Sequence, residues 1–170
     1  MVGKYELMNY LRRNKDDRGV MAALRCLLIE DMRFRGWQQL AALGGIGVLP
    51  VETVAGLYAF HPAEKKDDSY NWGDACRALA ETRRRGDENK ESAMDKNPFD
   101  RRFRRLLACD SQIELCTHLV DVVRGMKAKD IPINYENLYD DIVWWGDKVR
   151  ERWAIHYWSN RKEVVENVSD

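Results

Sequence analysis

The run Asn97-Pro98-Phe99-Asp100-Arg101-Arg102-Phe103-Arg104-Arg105-Leu106-Leu107 carries four arginines within five positions. Asparagine followed by proline marks a helix start. The Asn97 side chain can accept an orphan backbone N–H, and Pro98 lacks a donor that the first turn leaves unused. At about 100° per residue, Phe99, Phe103, Leu106 and Leu107 fall on one stripe. Burying that stripe turns Arg101, Arg102, Arg104 and Arg105 outward. Guanidinium groups this close repel one another. A partner rich in phosphates offsets the repulsion, because each neutralised phosphate releases condensed counterions. A solvated face with salt bridges to its neighbours fits the same spacing.

Other groups invite a chemical reading. Arg18 and Arg25 are seven apart, on one side of a helix and about 10 Å apart along its axis. Both lie off the apolar stripe of Val20, Leu24, Leu27 and Leu28, as two ordinary surface arginines also would. Lys127 and Lys129 lie outside or at the margin of a long apolar seam. With Arg18, Arg25 and the arginine helix they form the candidate nucleic-acid-binding set, and the six arginines are expected to make one positive surface. Asp140 and Asp141 are adjacent carboxylates, but no histidine or third carboxylate is placed to complete an acid–base or metal site. With Glu136 they are expected on a solvated face. Cys109, Cys116 and His118 lack the spacing of a known zinc ligand pair, so neither metal nor cofactor is expected. His61, before Pro62, suits a helix C-terminus. Trp144 falls on an outer face, where it would anchor a protein partner.

The chain has 170 residues, with 28 basic and 28 acidic side chains. A nucleic-acid site must therefore be a local patch rather than a global field. The charge is unevenly placed. Residues 1–25 hold six basic and three acidic groups, residues 77–105 ten and six, and residues 130–147 none and five. A positive side and a negative side are expected. No run approaches the roughly 18 apolar residues of a membrane span, and no signal-peptide core opens the chain, so a soluble cytoplasmic protein is expected. Cys26, Cys76, Cys109 and Cys116 form no C-x-x-C pair and read as buried free thiols of a reducing compartment.

The elements that must position these groups are helical. Apolar residues recur at helical spacing in Tyr5, Met8 and Leu11, then in Phe34, Trp37, Leu40 and Ala41, and in Val51, Val54, Ala55 and Tyr58. Further on they recur in Trp72, Cys76, Leu79 and Ala80, in Leu115, Leu119, Val122, Val123 and Met126, and in Tyr135, Leu138, Tyr139, Ile142 and Trp145. Val149, Trp153, His156 and Tyr157 make the last stripe. No segment alternates with period two, and no phosphate-binding glycine loop or catalytic triad is present. The expectation is an all-α, single-domain bundle of about eight short helices over residues 1–170. A charged loop near 86–96 should be mobile and the tail from Asn160 frayed.

Four stretches, taken together and in order, resemble the CasB family, the small subunit of the type I-E CRISPR surveillance complex, Cascade. They are Asp17-Arg18-Gly19-Val20-Met21-Ala22-Ala23-Leu24-Arg25, Leu57-Tyr58-Ala59-Phe60-His61-Pro62, Arg101-Arg102-Phe103-Arg104-Arg105-Leu106-Leu107-Ala108, and Trp144-Trp145 followed by Val149-Arg150-Glu151-Arg152-Trp153-Ala154-Ile155-His156-Tyr157-Trp158. Lys127-Ala128-Lys129-Asp130-Ile131-Pro132 resembles the family's link into its penultimate helix. Two departures are the charged 86–96 loop and Cys26, where an arginine would be usual. The resemblance implies an all-helical, non-enzymatic subunit present in two copies. It implies contacts with the backbone subunit that holds the crRNA and with the large subunit that recruits target DNA. It also implies a basic surface that helps hold DNA during R-loop formation, where modest backbone contacts tip a near-balanced exchange. Two other classes compete: a helical protein-binding adaptor using Trp144 and the apolar loop 46–49, and a small enzyme built on Asp140, Asp141 and a histidine.

Overall fold

Polar side chains close four of the helix starts. Asp17 accepts from the Val20 N–H at 3.1 Å, Asn97 from Phe99 at 2.9 Å, Ser111 from Glu114 at 3.1 Å and Asn134 from Asn137 at 3.0 Å. All four residues prefer this position because a short polar side chain can satisfy an orphan donor. The computed structural model describes residues 2–85 and 97–159. The expected loop near 86–96 and the tail from Asn160 lie outside them.

Among the described residues the helices are α1 (Lys4–Arg13), α2 (Arg18–Arg25), α3 (Phe34–Ala41), α4 (Leu49–Phe60), α5 (Trp72–Arg85), α6 (Pro98–Leu107), α7 (Gln112–Ala128), α8 (Tyr135–Val143) and α9 (Asp147–Trp158). Two short 3-10 turns, Cys26–Leu28 and Glu30–Met32, link α2 to α3. One isolated bridge pairs Glu64 with Ile133. The all-α expectation is borne out.

α4 is the centre of the first half. Every residue from Pro50 to Ala59 is buried, as a helix apolar on all sides must be. It packs against α1, α2, α7 and α8. Its one acid, Glu52, is 2% exposed. Arg33 pairs with it, and it accepts from Trp37 Nε1 at 3.0 Å and the Gly47 N–H at 2.7 Å. The second half is organised by α5 against α9. Trp153 is fully buried between Trp72 and Trp145, with ring centroids at 6.0 and 5.0 Å. A Cβ on Gly73 would lie 2.3 Å from the Trp153 carbonyl oxygen, so only glycine permits this approach.

Three expected stripes are corrected. In α1, Tyr5 is 61% exposed and Leu7 is buried instead. In α3, Phe34, Trp37 and Ala41 are exposed, and Gly36 and Leu40 face inward. The cause is close packing: a Cβ on Gly36 would sit 2.5 Å from Leu27 Cγ. The helix turns its smallest residue to the core, which a hydrophobicity pattern does not register. In α8, Asp141 belongs to the interior rather than a solvated face. It is 5% exposed, and its carboxylate accepts from Arg152 Nη2 at 2.9 Å and Trp153 Nε1 at 2.7 Å. Of the cysteines, Cys76, Cys109 and Cys116 are buried free thiols as expected, while Cys26 is half-buried.

Phe103 is fully buried and stacks on Tyr157 with centroids 4.0 Å apart. Phe103→Ala should therefore cost about 3–5 kcal/mol. Urea denaturation should show a lower midpoint at unchanged slope; a loss below about 1 kcal/mol would place this ring outside the core.

Candidate nucleic-acid interface

α6 is mounted by its aromatic underside. Phe99 and Phe103 are fully buried, and Leu106 nearly so. Phe103 meets Trp158 edge-on at 5.2 Å, and Phe99 lies 6.2 Å from Tyr157. The Tyr157 hydroxyl donates to the Asp100 carboxylate, tying the first turn of α6 to the last turn of α9. Asn97 Nδ2 donates to the Ala80 carbonyl at 3.2 Å, fixing the start of the helix to α5. Aromatic pairs of this kind add to burial and fix ring orientation. The helix is thereby held at both its start and its middle.

Arg101, Arg102, Arg104 and Arg105 are all exposed, as the spacing predicts. None has a carboxylate partner among the described residues. The Arg104 guanidinium lies 5.4 Å over the Trp158 ring, an attraction that leaves its N–H groups at the edge available. Arg83, not singled out in the sequence, joins this group from α5. Its guanidinium lies 5.6 Å over the Phe99 ring. Burial first, and then the Arg102 charge, push its pKa below the usual arginine value. The signal was present in the run Arg83-Arg84-Arg85 at the end of α5.

Arg18 and Arg25 are the first and last residues of α2, both exposed and without a carboxylate partner among the described residues. Their helix packs chiefly on α3 and α4, whereas α6 packs on α5 and α7. Arg18 and Arg25 thus stand on a different mount from the arginines of α6. Lys127 and Lys129 are exposed at the end of α7, with Lys127 Nζ 4.3 Å over the Phe60 ring. Trp144 follows α8 and is 76% exposed. Its neighbour Trp145 turns inward and donates to the Cys109 carbonyl at 2.8 Å. His61 is buried beyond α4, its Nε2 2.6 Å from the Ile131 carbonyl oxygen.

The expected negative side is largely neutralised. Arg12 of α1 bridges Glu64 at 2.7 Å and Glu136 at 2.8 Å, and Lys4 pairs with Asp140. Asp141 is taken by Arg152, and Asp147 by Arg150 at 2.8 Å. The basic N-terminal helix and the acidic stretch pair with each other. That corrects the reading of Glu136 and Asp140 as merely solvated.

Residues 10–158 match the sequence model of a family described as CRISPR-associated protein Cse2. The chain belongs to that family. The Cse2 fold is matched by the crystal structure of CasB from M. ruber, with 20% identity, a TM-score of 0.71 and coverage of 100% of both chains. CasB from Thermus thermophilus matches with 24% identity and a TM-score of 0.62, over 94% of this chain and 99% of the other. Comparison with curated proteins gave no match. The resemblance to CasB drawn from the sequence is borne out.

Within this Cse2 chain, burial raises the Asp141 pKa above the usual 3.8, although the Trp153 and Arg152 hydrogen bonds pull it back. The folded chain then holds that proton more tightly than the unfolded chain. The Asp141 contribution is full below the unfolded value and is lost as pH rises through the raised one. Denaturant midpoints measured from about pH 3 to 7 should show the wild type losing ground to Asp141→Asn across that window. A pH-independent gap between the two would mean the carboxyl is not perturbed.

Proposed function

We propose that this Cse2-family chain is a non-enzymatic subunit of a type I-E Cascade. In this reading it works in the cytoplasm and grips nucleic-acid backbone through its exposed arginines, helping to hold target DNA in the R-loop. The observation that carries the reading is selective pairing. Lys4, Arg12, Arg33, Arg150 and Arg152 are each matched with an acid. Arg101, Arg102, Arg104 and Arg105 have none among the described residues and stand on a rigid mount. Unmatched guanidinium groups on a fixed helix suit phosphate contacts, which position a strand without reading its bases. Arg83 extends this surface, and Arg18, Arg25, Lys127 and Lys129 supply a second set of phosphate contacts. The partners in this reading are target DNA, crRNA, the backbone and large subunits, and a second copy of the chain.

Against an enzyme, Asp140 and Asp141 are engaged by Lys4, Arg152 and Trp153. A protein-only adaptor is favoured by one observation, the exposure of Trp144. The two readings give different results for one variant. Arg102→Ala with Arg105→Ala should weaken binding of unrelated DNA sequences about equally. It should also flatten the log–log salt slope by about 0.7–0.9 for each phosphate that is no longer neutralised. Stability should move by less than about 0.5 kcal/mol, because both side chains are exposed. In the assembled complex the variant should co-purify with the other subunits but retain target DNA less well. Unchanged affinity and slope, with failed assembly, would assign these arginines to a protein joint.

A further inference from the structure

The corner between α6 and α7 brings together three groups that the fold does not require as a set. Cys109 lies just beyond the end of α6. Glu114 and His118 are four apart on α7, so they share one face of that helix. The Cys109 sulfur, a Glu114 carboxylate oxygen and a His118 ring nitrogen all lie within 4.8 Å of one another. From this juxtaposition we propose that Cys109, Glu114 and His118 form a binding site for one zinc-type divalent cation, with water in the fourth position.

The donor set is one that zinc accepts: thiolate, imidazole and carboxylate, at about 2.0–2.3 Å. Tetrahedral bonds of that length separate the donors by about 3.5 Å. Side-chain rotation about χ angles closes the difference. Thiolate and imidazole together select zinc over calcium or magnesium. The backbone under the site is already fixed. The Cys109 carbonyl accepts from Trp145 Nε1 at 2.8 Å and from Arg150 Nη2 at 2.7 Å. Glu114 is oriented by the Asp110 N–H, which donates to Oε2 at 3.0 Å. His118 is half-buried and makes no hydrogen bond to a described residue. Cys116, which the sequence also placed nearby, interacts with Thr53 and is not among the three clustered donors.

Binding replaces a bond that exists without metal. The Cys109 thiol donates to the Arg105 carbonyl at 3.3 Å. On binding, a sulfur–metal bond forms and the thiol proton leaves to solvent. Burial, and then the Glu114 charge, push that thiol up to about 11 in the metal-free chain. A bound cation requires the thiolate, so apparent affinity rises with pH.

The full chain, stripped with chelator under reducing conditions, is titrated with cobalt(II) as a spectroscopic stand-in and then with zinc. One equivalent should produce a thiolate-to-cobalt charge-transfer band, zinc should displace it, and the melting temperature should rise with zinc concentration. Cys109→Ser should abolish the band. His118→Ala, at a half-buried surface position whose loss spares the fold, should weaken binding by more than about tenfold, the smaller end of what an outer-sphere partner alone costs. Cys26→Ser should leave the titration unchanged. No stoichiometric band, a band that survives Cys109→Ser, or one abolished by Cys26→Ser would overturn the site. None of these readouts involves nucleic acid, so the result stands apart from the DNA-binding reading.

Discussion

The approach of α5 to α9 is the constraint on which the second half of the molecule rests. Gly73 lets one helix backbone lie against the Trp153 carbonyl of the other. That closeness sets the depth of the Trp153 ring, which reaches Asp141 through its indole N–H and lies between two further tryptophans. One turn later, Tyr157 and Trp158 leave α9 toward α6 and receive Phe103. The arginine face is therefore positioned in part by residues about fifty positions away in sequence, through aromatic contacts. A side chain at position 73 would displace α9 and, with it, the platform under the four guanidinium groups.

The placement of charge follows from how the helices pair. A formally neutral chain cannot attract a polyanion by its overall field. It keeps a local surplus by engaging its acids elsewhere. Arg12 occupies two carboxylates at once, which raises its own pKa further. Lys4, Arg150 and Arg152 take most of the remaining acids of the 130–147 stretch. Among the described residues, Arg101, Arg102, Arg104 and Arg105 are without a carboxylate partner. The proposed grip on nucleic-acid backbone would draw on that surplus.

The arginine helix was legible in the sequence because its cap, proline, apolar stripe and cationic face all agree. The α7 seam and the α5 stripe were legible for the same reason. Where reading failed, the deciding contact was tertiary. Gly36 is inward because Leu27 needs room, and no periodicity scale scores a glycine as core. Asp141 is inward because a guanidinium and an indole N–H await it, eleven and twelve residues downstream. The pairing of α1 with α8 crosses nearly the whole chain, and neither segment names its partner. Arg83 was visible only as part of a charge run. Its place beside Arg102 depends on how α5 and α6 pack.

The Phe103–Tyr157 stack has a consequence for the newborn chain. Synthesis runs from the N-terminus at about 5–20 residues per second, so Tyr157 is made roughly 3–10 s after Phe103. During that interval α6 has its caps and its arginines but no seat for its rings. An apolar stripe on one side and a cationic stripe on the other make an amphipathic helix open to wrong partners, among them the ribosomal RNA from which the chain emerges. Completion of α9 ends that exposure. The order of manufacture thus places the basic surface in its final setting only after the last helix has been made.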